Sequence, residues 1–150
     1  MNVIFLDVDG VLNSIRKLKE VYLKTHKSHS LSNYPFDEEC LNNLKKIVDE
    51  FDLYIVITST WRKNENHLKK LLFELSKYGL DSRVIGCTKV LDNRENEIID
   101  YLNNHKDVDK YIILDDDYIG EKLESSLIKT DNNIGFSSED SLKCIKKLKR

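Results

Sequence analysis

Three short apolar runs, each followed at once by a polar residue, constrain the fold of this chain more than any other feature. They are residues 3–6 (VIFL), 53–57 (LYIVI) and 111–114 (YIIL). Continuous runs of this length, rich in β-branched side chains, are typical of strands covered on both faces. Residues 38–51 and 67–78, which lie between the runs, carry apolar side chains at helical spacing. Strands and helices are therefore predicted to alternate.

Weaker patterns extend this alternation toward the end of the chain. Residues 94–104 and 138–148 have helical spacing, and residues 83–87 and 126–130 fit short additional strands. Alternating strands and helices favour a parallel sheet with helices on its faces. We therefore predict an α/β fold, a three-layer α/β/α sandwich around a mainly parallel, Rossmann-like sheet, in a single domain over residues 1–150.

Composition excludes several classes of protein. The chain has 150 residues and a formal net charge of -2, so its total charge does not indicate a polyanionic ligand. Its three cysteines lack the Cys and His spacing of a zinc site or a disulfide framework. Acids interrupt the first apolar run before it could form a signal peptide or a membrane span. We expect a cytoplasmic protein without a membrane partner.

One basic segment, at about residues 14–35, breaks the alternation and is interpreted as a small insertion after the first strand. Its basic residues are Arg16, Lys17, Lys19, Lys24, His26, Lys27 and His29. Two interpretations remain open, a solvated helix with a loop or a flap that faces a substrate.

The polar residues that end the apolar runs should converge, because ligands bind beyond the carboxyl ends of the strands in an open parallel sheet. The residues expected there are Asp7, Asp9, Thr58, Ser59, Asp115, Asp116 and Asp117. Several carboxylates in one cleft repel one another unless a cation lies among them. An all-oxygen ligand set suits Mg²⁺, which often bridges a phosphate. The sequence therefore predicts a magnesium and phosphate site.

The first strand end, FLDVDGVLN, resembles the first motif of the haloacid dehalogenase (HAD) superfamily, DxDG(V/T)L. The resemblance implies that Asp7 is a nucleophile that forms an aspartyl-phosphate and that Asp9 is the general acid and base. It also implies Mg²⁺ binding by the Asp7 carboxylate and the Asp9 backbone carbonyl. Gly10 permits a sharp exit from the strand and is expected to border the substrate. An EF-hand loop is excluded, because its glycine belongs at the sixth position and Leu18 stands where it needs a glutamate.

Two other strand ends, IVITS and ILDDD, resemble the second and fourth HAD motifs. The resemblance implies that the Thr58 hydroxyl binds the transferred phosphoryl group and that Ser59 adds a hydroxyl or an N–H. Either residue can also cap the helix that follows. Asp116 is implied as a direct metal ligand, with Asp115 bound less directly or through water. A third acid, Asp117, leaves the register of this motif open by one residue.

The third HAD motif is a Lys or Arg that neutralises the phosphoryl oxygens and the attacking carboxylate. Arg94, at the start of the predicted helix before the strand that ends at Asp115, is our first choice. Lys89 is the second. An ordinary surface cation is the alternative for either residue.

Four strings together narrow the resemblance: FLDVDGVLN, ITSTWR, RENEI and ILDDD. They are similar to the HAD domains of RNA-repair proteins called Swiss Army knife proteins. Trp61 is either a packing anchor or a base-stacking face, in which case Arg62 would lie on a backbone phosphate. A cap no longer than residues 14–35 leaves an open site, which favours a bulky substrate.

The resemblance implies a magnesium-dependent phosphohydrolase that acts through an aspartyl-phosphate on a polynucleotide end or a nucleotide phosphomonoester. RNA or DNA ends are the expected partners, and whether a separate kinase or ligase acts alongside is left open. The alternatives are a phosphoprotein phosphatase, a phosphotransferase, and a non-catalytic phosphoacceptor or binding module of the same fold. The sequence leaves open the choice of RNA or DNA, the 3′ or 5′ position and the oligomeric state.

Overall fold

The computed structural model of the chain describes residues 1–27 and 35–150. Residues 28–34, which include His29 of the predicted basic insertion, lie outside the described residues. Five strands form one parallel sheet: β1 (Asn2–Leu6), β2 (Leu53–Ile57), β3 (Val84–Cys87), β4 (Lys110–Asp115) and β5 (Leu127–Lys129). Their order is β3-β2-β1-β4-β5, so β1 lies at the centre. In the described part of the chain, no helix is both long enough and apolar enough to cross a bilayer.

Helices cover both faces of this sheet. They are α1 (Ile15–Thr25), α2 (Glu38–Phe51), α3 (Glu65–Ser76), α4 (Arg94–Asn104) and α5 (Ser138–Leu148). Ile4 and Leu6 of β1 belong to a buried cluster with side chains of α2, α3 and α5, whereas Val3 and Phe5 belong to a second cluster with α4. Because side chains alternate along a strand, α4 lies on the face opposite the other three helices. The predicted α/β/α sandwich is confirmed.

Local capping sets where the helices begin. The helix predicted at 67–78 is α3, which begins at Glu65 because the Asn64 side chain accepts hydrogen bonds from N–H groups of its first turn. The start of α5 is fixed by a capping box between Ser137 and Asp140. The two weakly indicated strands are confirmed as β3 and β5.

The described part of the basic insertion is mainly α1, and two of its cations are paired with acids at the start of α2. Arg16 lies 3.0 Å from Asp37, and Lys17 lies 2.9 Å from Glu38. The positive charge at these two positions is therefore balanced within the chain and contributes less to attracting an anion than the sequence suggested.

The register of the sheet brings the predicted strand ends to one level. Leu6 at the end of β1 lies opposite Ile57 of β2 and Leu114 of β4. The residues that follow these three are Asp7, Thr58 and Asp115. They therefore stand side by side at the carboxyl edge, where β1 lies between its two neighbours.

Candidate active site

Asp7 lies at the middle of this edge, directly after β1, and is only 8% exposed. Burial and the neighbouring charge of Asp115 raise the pKa of Asp7 well above its usual value, and Arg94 opposes this rise. An ionised Asp7 therefore depends on positive charge close to it.

Three carboxylates meet beside this residue. Asp7, Asp115 and Asp116 each offer one oxygen, and these oxygens lie within 4.8 Å of one another. Burial, followed by the charges of Asp115 and Asp117, raises the pKa of Asp116 to about 6. A divalent cation relieves this repulsion, and oxygen donors without nitrogen or sulfur are those that Mg²⁺ prefers. The residues therefore fit a magnesium ion.

Asp115 and Asp116 differ in what already engages them. Asp115 accepts a hydrogen bond from Arg94 at 2.6 Å through one oxygen and from the backbone N–H of Asp117 at 3.0 Å through the other. Asp116 instead lies against Gly10, where a Cβ would collide with its carboxylate and where φ is +78°. Glycine at this position therefore makes room for Asp116. The arrangement favours Asp116 over Asp115 as the direct metal ligand.

Arg94 is the cation that the structure brings to Asp7. It is the first residue of α4, and its Nη1 lies 2.6 Å from Oδ2 of Asp115 and 3.6 Å from Oδ1 of Asp7. Lys89, the second choice, is exposed in the loop between β3 and α4, and its backbone carbonyl accepts a hydrogen bond from Arg62. Position therefore favours Arg94 for neutralising a phosphoryl group.

The hydroxyls of Thr58 and Ser59 differ in whether they have a partner. Thr58 is fully buried, and its Oγ1 has no hydrogen-bond partner among the described residues. Ser59 Oγ accepts from the backbone N–H of Trp61 and caps a short 3₁₀ helix, Thr60–Lys63. A buried polar group without a partner costs about 1–3 kcal/mol. The Thr58 hydroxyl is therefore available to a ligand oxygen, whereas Ser59 takes the capping role that the sequence left open.

Asp9 is held by two side-chain donors. Asn13 Nδ2 donates to Asp9 Oδ1 at 2.8 Å, and Nε1 of Trp61 lies 3.2 Å from each carboxylate oxygen. The side-chain oxygen of Asn13 also accepts from the backbone N–H of Gly10 at 2.8 Å. Asn13 is a site residue that the sequence reasoning missed, although it ends the string FLDVDGVLN.

Trp61 is a packing anchor and not a stacking surface. It is 2% exposed, and its ring packs against the rings of Phe36 and His67, each with a centroid separation of 5.5 Å. Because the ring is buried between these neighbours, the structure supports the packing anchor, and the alternative of a base-stacking face is corrected.

The predicted phosphate contact of Arg62 also needs correction. Its side chain is 3% exposed. The guanidinium donates to the backbone carbonyls of Thr58, Ser59, Thr88 and Lys89 and to the carboxylate of Glu97. An arginine has five N–H donors, so none remains for a phosphate. Arg62 is therefore a clamp between the loops that follow β2 and β3.

Glu97 completes this clamp and was also missed from the sequence. Its side chain is 7% exposed and accepts from Arg62 at 2.8 Å and from the backbone N–H of Leu91 at 2.9 Å. Its other oxygen lies 3.7 Å from Nε of Arg94. The sequence signal that could have identified Glu97 is its spacing, because it lies one turn before Tyr101 in α4 and therefore on the same, buried face of the helix.

A family model matches most of the chain. It is described as the HAD domain in Swiss Army Knife RNA repair proteins, and the match covers residues 3–141. The matched range runs from β1 into α5 and contains every residue of the site described above. No curated protein and no solved structure matches the chain.

Proposed function

The chain belongs to the family of HAD domains found in Swiss Army Knife RNA repair proteins, and on this basis we propose that it is a magnesium-dependent phosphomonoesterase that acts on phosphorylated polynucleotide ends. Family membership implies HAD-type phosphohydrolase chemistry in RNA repair. Our proposal adds three points to family membership: dependence on magnesium, an aspartyl-phosphate intermediate and the identity of the substrate.

The observation that carries the proposal is the set of groups around Asp7. Its carboxylate lies 3.6 Å from an arginine and belongs to a group of three whose oxygens lie within 4.8 Å of one another. The neighbouring Thr58 offers a buried hydroxyl without a protein partner in the described chain. A phosphoryl group uses all of these features, because its oxygens accept from the hydroxyl and the guanidinium while its phosphorus faces a nucleophile.

The roles of the chain's own groups follow from these positions. A carboxylate oxygen of Asp7 attacks phosphorus, and the bond from phosphorus to the leaving oxygen breaks while Asp9 gives that oxygen a proton. Asp9 then takes a proton from water, whose oxygen attacks phosphorus and releases Asp7 and inorganic phosphate. Arg94 and Thr58 hold the phosphoryl oxygens during both steps.

The metal ligands in this proposal are the carboxylates of Asp7 and Asp116, together with the backbone carbonyl of Asp9 that the family resemblance implies. Asp115, which Arg94 already holds, would act less directly. When bound, Mg²⁺ supplies positive charge that keeps the crowded carboxylates ionised and neutralises the phosphoryl group. The raised pKa values of Asp7 and Asp116 support the need for that charge.

A polynucleotide end is proposed as the substrate because of the family and the small size of the segment inserted between β1 and α2. The described part of the segment between β1 and α2 contains a single helix of 11 residues, α1. A cover of this size suits a substrate that extends beyond the site better than a small molecule that must be enclosed.

Phosphate release tests the proposal directly. We would compare the wild type with Asp7→Asn, with and without Mg²⁺, on an aryl phosphate, on mononucleotides and on oligonucleotides with 3′ or 5′ phosphates. We expect release that requires Mg²⁺, favours oligonucleotides and is lost in Asp7→Asn. Asp49→Asn, on an exposed face of α2, is the matched control and should act like the wild type.

Two results would contradict the proposal. Full activity of a folded Asp7→Asn variant would show that Asp7 is not the nucleophile. Release that prefers mononucleotides or the aryl phosphate over oligonucleotides would show that the proposed substrate is wrong, although the proposed chemistry would still hold.

A further inference from the structure

We propose that Trp61 is a positioning residue, whose indole N–H holds the Asp9 carboxylate where it can protonate the leaving group. This inference rests on the proposed function, since it assumes that Asp9 is the general acid. Its basis is the pair of distances, 3.2 Å and 3.2 Å, between Trp61 Nε1 and the two oxygens of Asp9. The two residues are 52 positions apart in sequence, so this contact links the loop after β1 to the one after β2.

The indole has little freedom to point elsewhere. Phe36 packs edge-on against its ring and His67 packs at a tilt, while the Trp61 backbone N–H is bound to Ser59. A buried indole N–H needs an acceptor, and Asp9 is the acceptor that this orientation provides. The ring packing therefore fixes the direction of the hydrogen bond.

Asp9 needs such a support because it belongs to a loop rather than to a strand. β1 ends at Leu6, and Asp9 follows three residues later. Asn13 holds one carboxylate oxygen from within the same loop, whereas Trp61 approaches from another part of the chain. Two donors from different elements fix both the position and the rotation of the carboxylate. Errors of about 1 Å in such groups can cost about a hundredfold in rate.

A positioning role makes a prediction that depends on the leaving group. A basic leaving oxygen needs its proton in the transition state, whereas p-nitrophenolate leaves without one. The value of kcat/KM covers the steps up to departure of the leaving group, so it excludes the later attack of water. Loss of the indole N–H should therefore lower kcat/KM for phenyl phosphate and nucleotides far more than for p-nitrophenyl phosphate.

Trp61→Phe is the test variant, because it keeps an aromatic ring in the packed site and removes the N–H. We expect kcat/KM to fall by about 10- to 100-fold for phenyl phosphate and by less than about 3-fold for p-nitrophenyl phosphate, because a misplaced general acid loses part of the roughly 10²- to 10⁴-fold that such groups contribute. Ile47→Val is the matched control, since it trims the same buried cluster from α2 without removing a donor to Asp9 or a ring that packs on Trp61. It should affect both substrates equally.

A spectroscopic test needs no activity. Trp61 is the only tryptophan in the sequence, so the ¹H–¹⁵N spectrum of the full chain contains one indole resonance. Asp9→Asn should move this resonance upfield, because a carboxylate deshields the proton more than a neutral amide does. Asp49→Asn on the surface of α2 should leave it in place.

Each result decides a separate point. Equal losses for the two phosphates in Trp61→Phe, or an Ile47→Val profile that matches it, would overturn the positioning role. If Asp9→Asn left the indole resonance in place, the hydrogen bond between Trp61 and Asp9 would itself be refuted. If the wild type released no phosphate from any substrate, the proposed function would fail and the positioning role with it, while a shifted resonance would still establish the hydrogen bond.

Discussion

Replacement of Arg62 by methionine should cost stability rather than substrate affinity. Methionine keeps an apolar stem in the site but removes every donor, so the carboxylate of Glu97, 7% exposed, loses the nearer of its two charged partners and keeps Arg94 at 3.7 Å. Four backbone carbonyls in the loops after β2 and β3 lose their donor in the same change.

The size of the effect follows from this burial. Removing one partner of a buried ion pair costs about 3–5 kcal/mol. A domain is usually stable by about 5–15 kcal/mol, so Arg62→Met should fold but be marginal. The midpoint of thermal unfolding should fall by about 10 °C for a chain of this size.

Urea and thermal unfolding, followed by circular dichroism and by the fluorescence of Trp61, measure the change. Lys45→Met is the matched control, because Lys45 pairs with Asp49 on the surface, with side chains 46% and 60% exposed. It should cost about 0.5 kcal/mol or less. The double variant Arg62→Met/Glu97→Gln should recover part of the loss, since the buried charge that lost its nearer partner is also gone.

The opposite pattern would refute this reasoning. If Arg62→Met unfolded like the wild type and raised KM for a phosphorylated substrate, Arg62 would be a substrate contact, as the sequence first suggested. The clamp would then be an incidental feature of the loops.

Three further predictions concern single side chains. Thr58→Val removes a buried hydroxyl that has no partner among the residues that the structure describes, so we expect unchanged or higher thermal stability together with a fall of about tenfold or more in kcat/KM; lower stability with full activity would contradict this. Gly10→Ala adds a Cβ that collides with the acidic cluster, so titration with Mg²⁺ should require higher concentrations, whereas Gly79→Ala has a similar φ and open space and should change stability alone. Only Cys87 among the three cysteines is exposed, and burial raises the pKa of the other two to about 12, so a thiol reagent should modify one thiol in the native protein and three in urea.

The sequence predicted the parts of the structure that depend on local pattern. Apolar runs identified the strands, and the parallel register then brought Asp7, Thr58 and Asp115 together without knowledge of any contact. The position of Arg94 could also be predicted from the sequence, because the start of a helix that follows a strand faces the same edge of the sheet.

The sequence did not predict which partner each buried polar side chain would find. One of the two interpretations of Trp61 put Arg62 on a phosphate, yet Arg62 meets Glu97 from α4, 35 positions away. Likewise, nothing in the local pattern tells that the indole of Trp61 points to Asp9. Such pairings depend on how the loops that follow different strands pack against one another. The periodicity of apolar residues carries no information about that packing.

The central claim is that Asp7 becomes phosphorylated, and trapping that intermediate tests it most directly. We would mix the Asp9→Asn variant with an aryl phosphate and Mg²⁺, quench within one turnover, reduce the acyl phosphate with borohydride and locate the product by mass spectrometry. The account predicts homoserine in place of Asp7, in amounts that depend on Mg²⁺. Phosphate release without any modified Asp7, or modification of Asp115 instead, would contradict it.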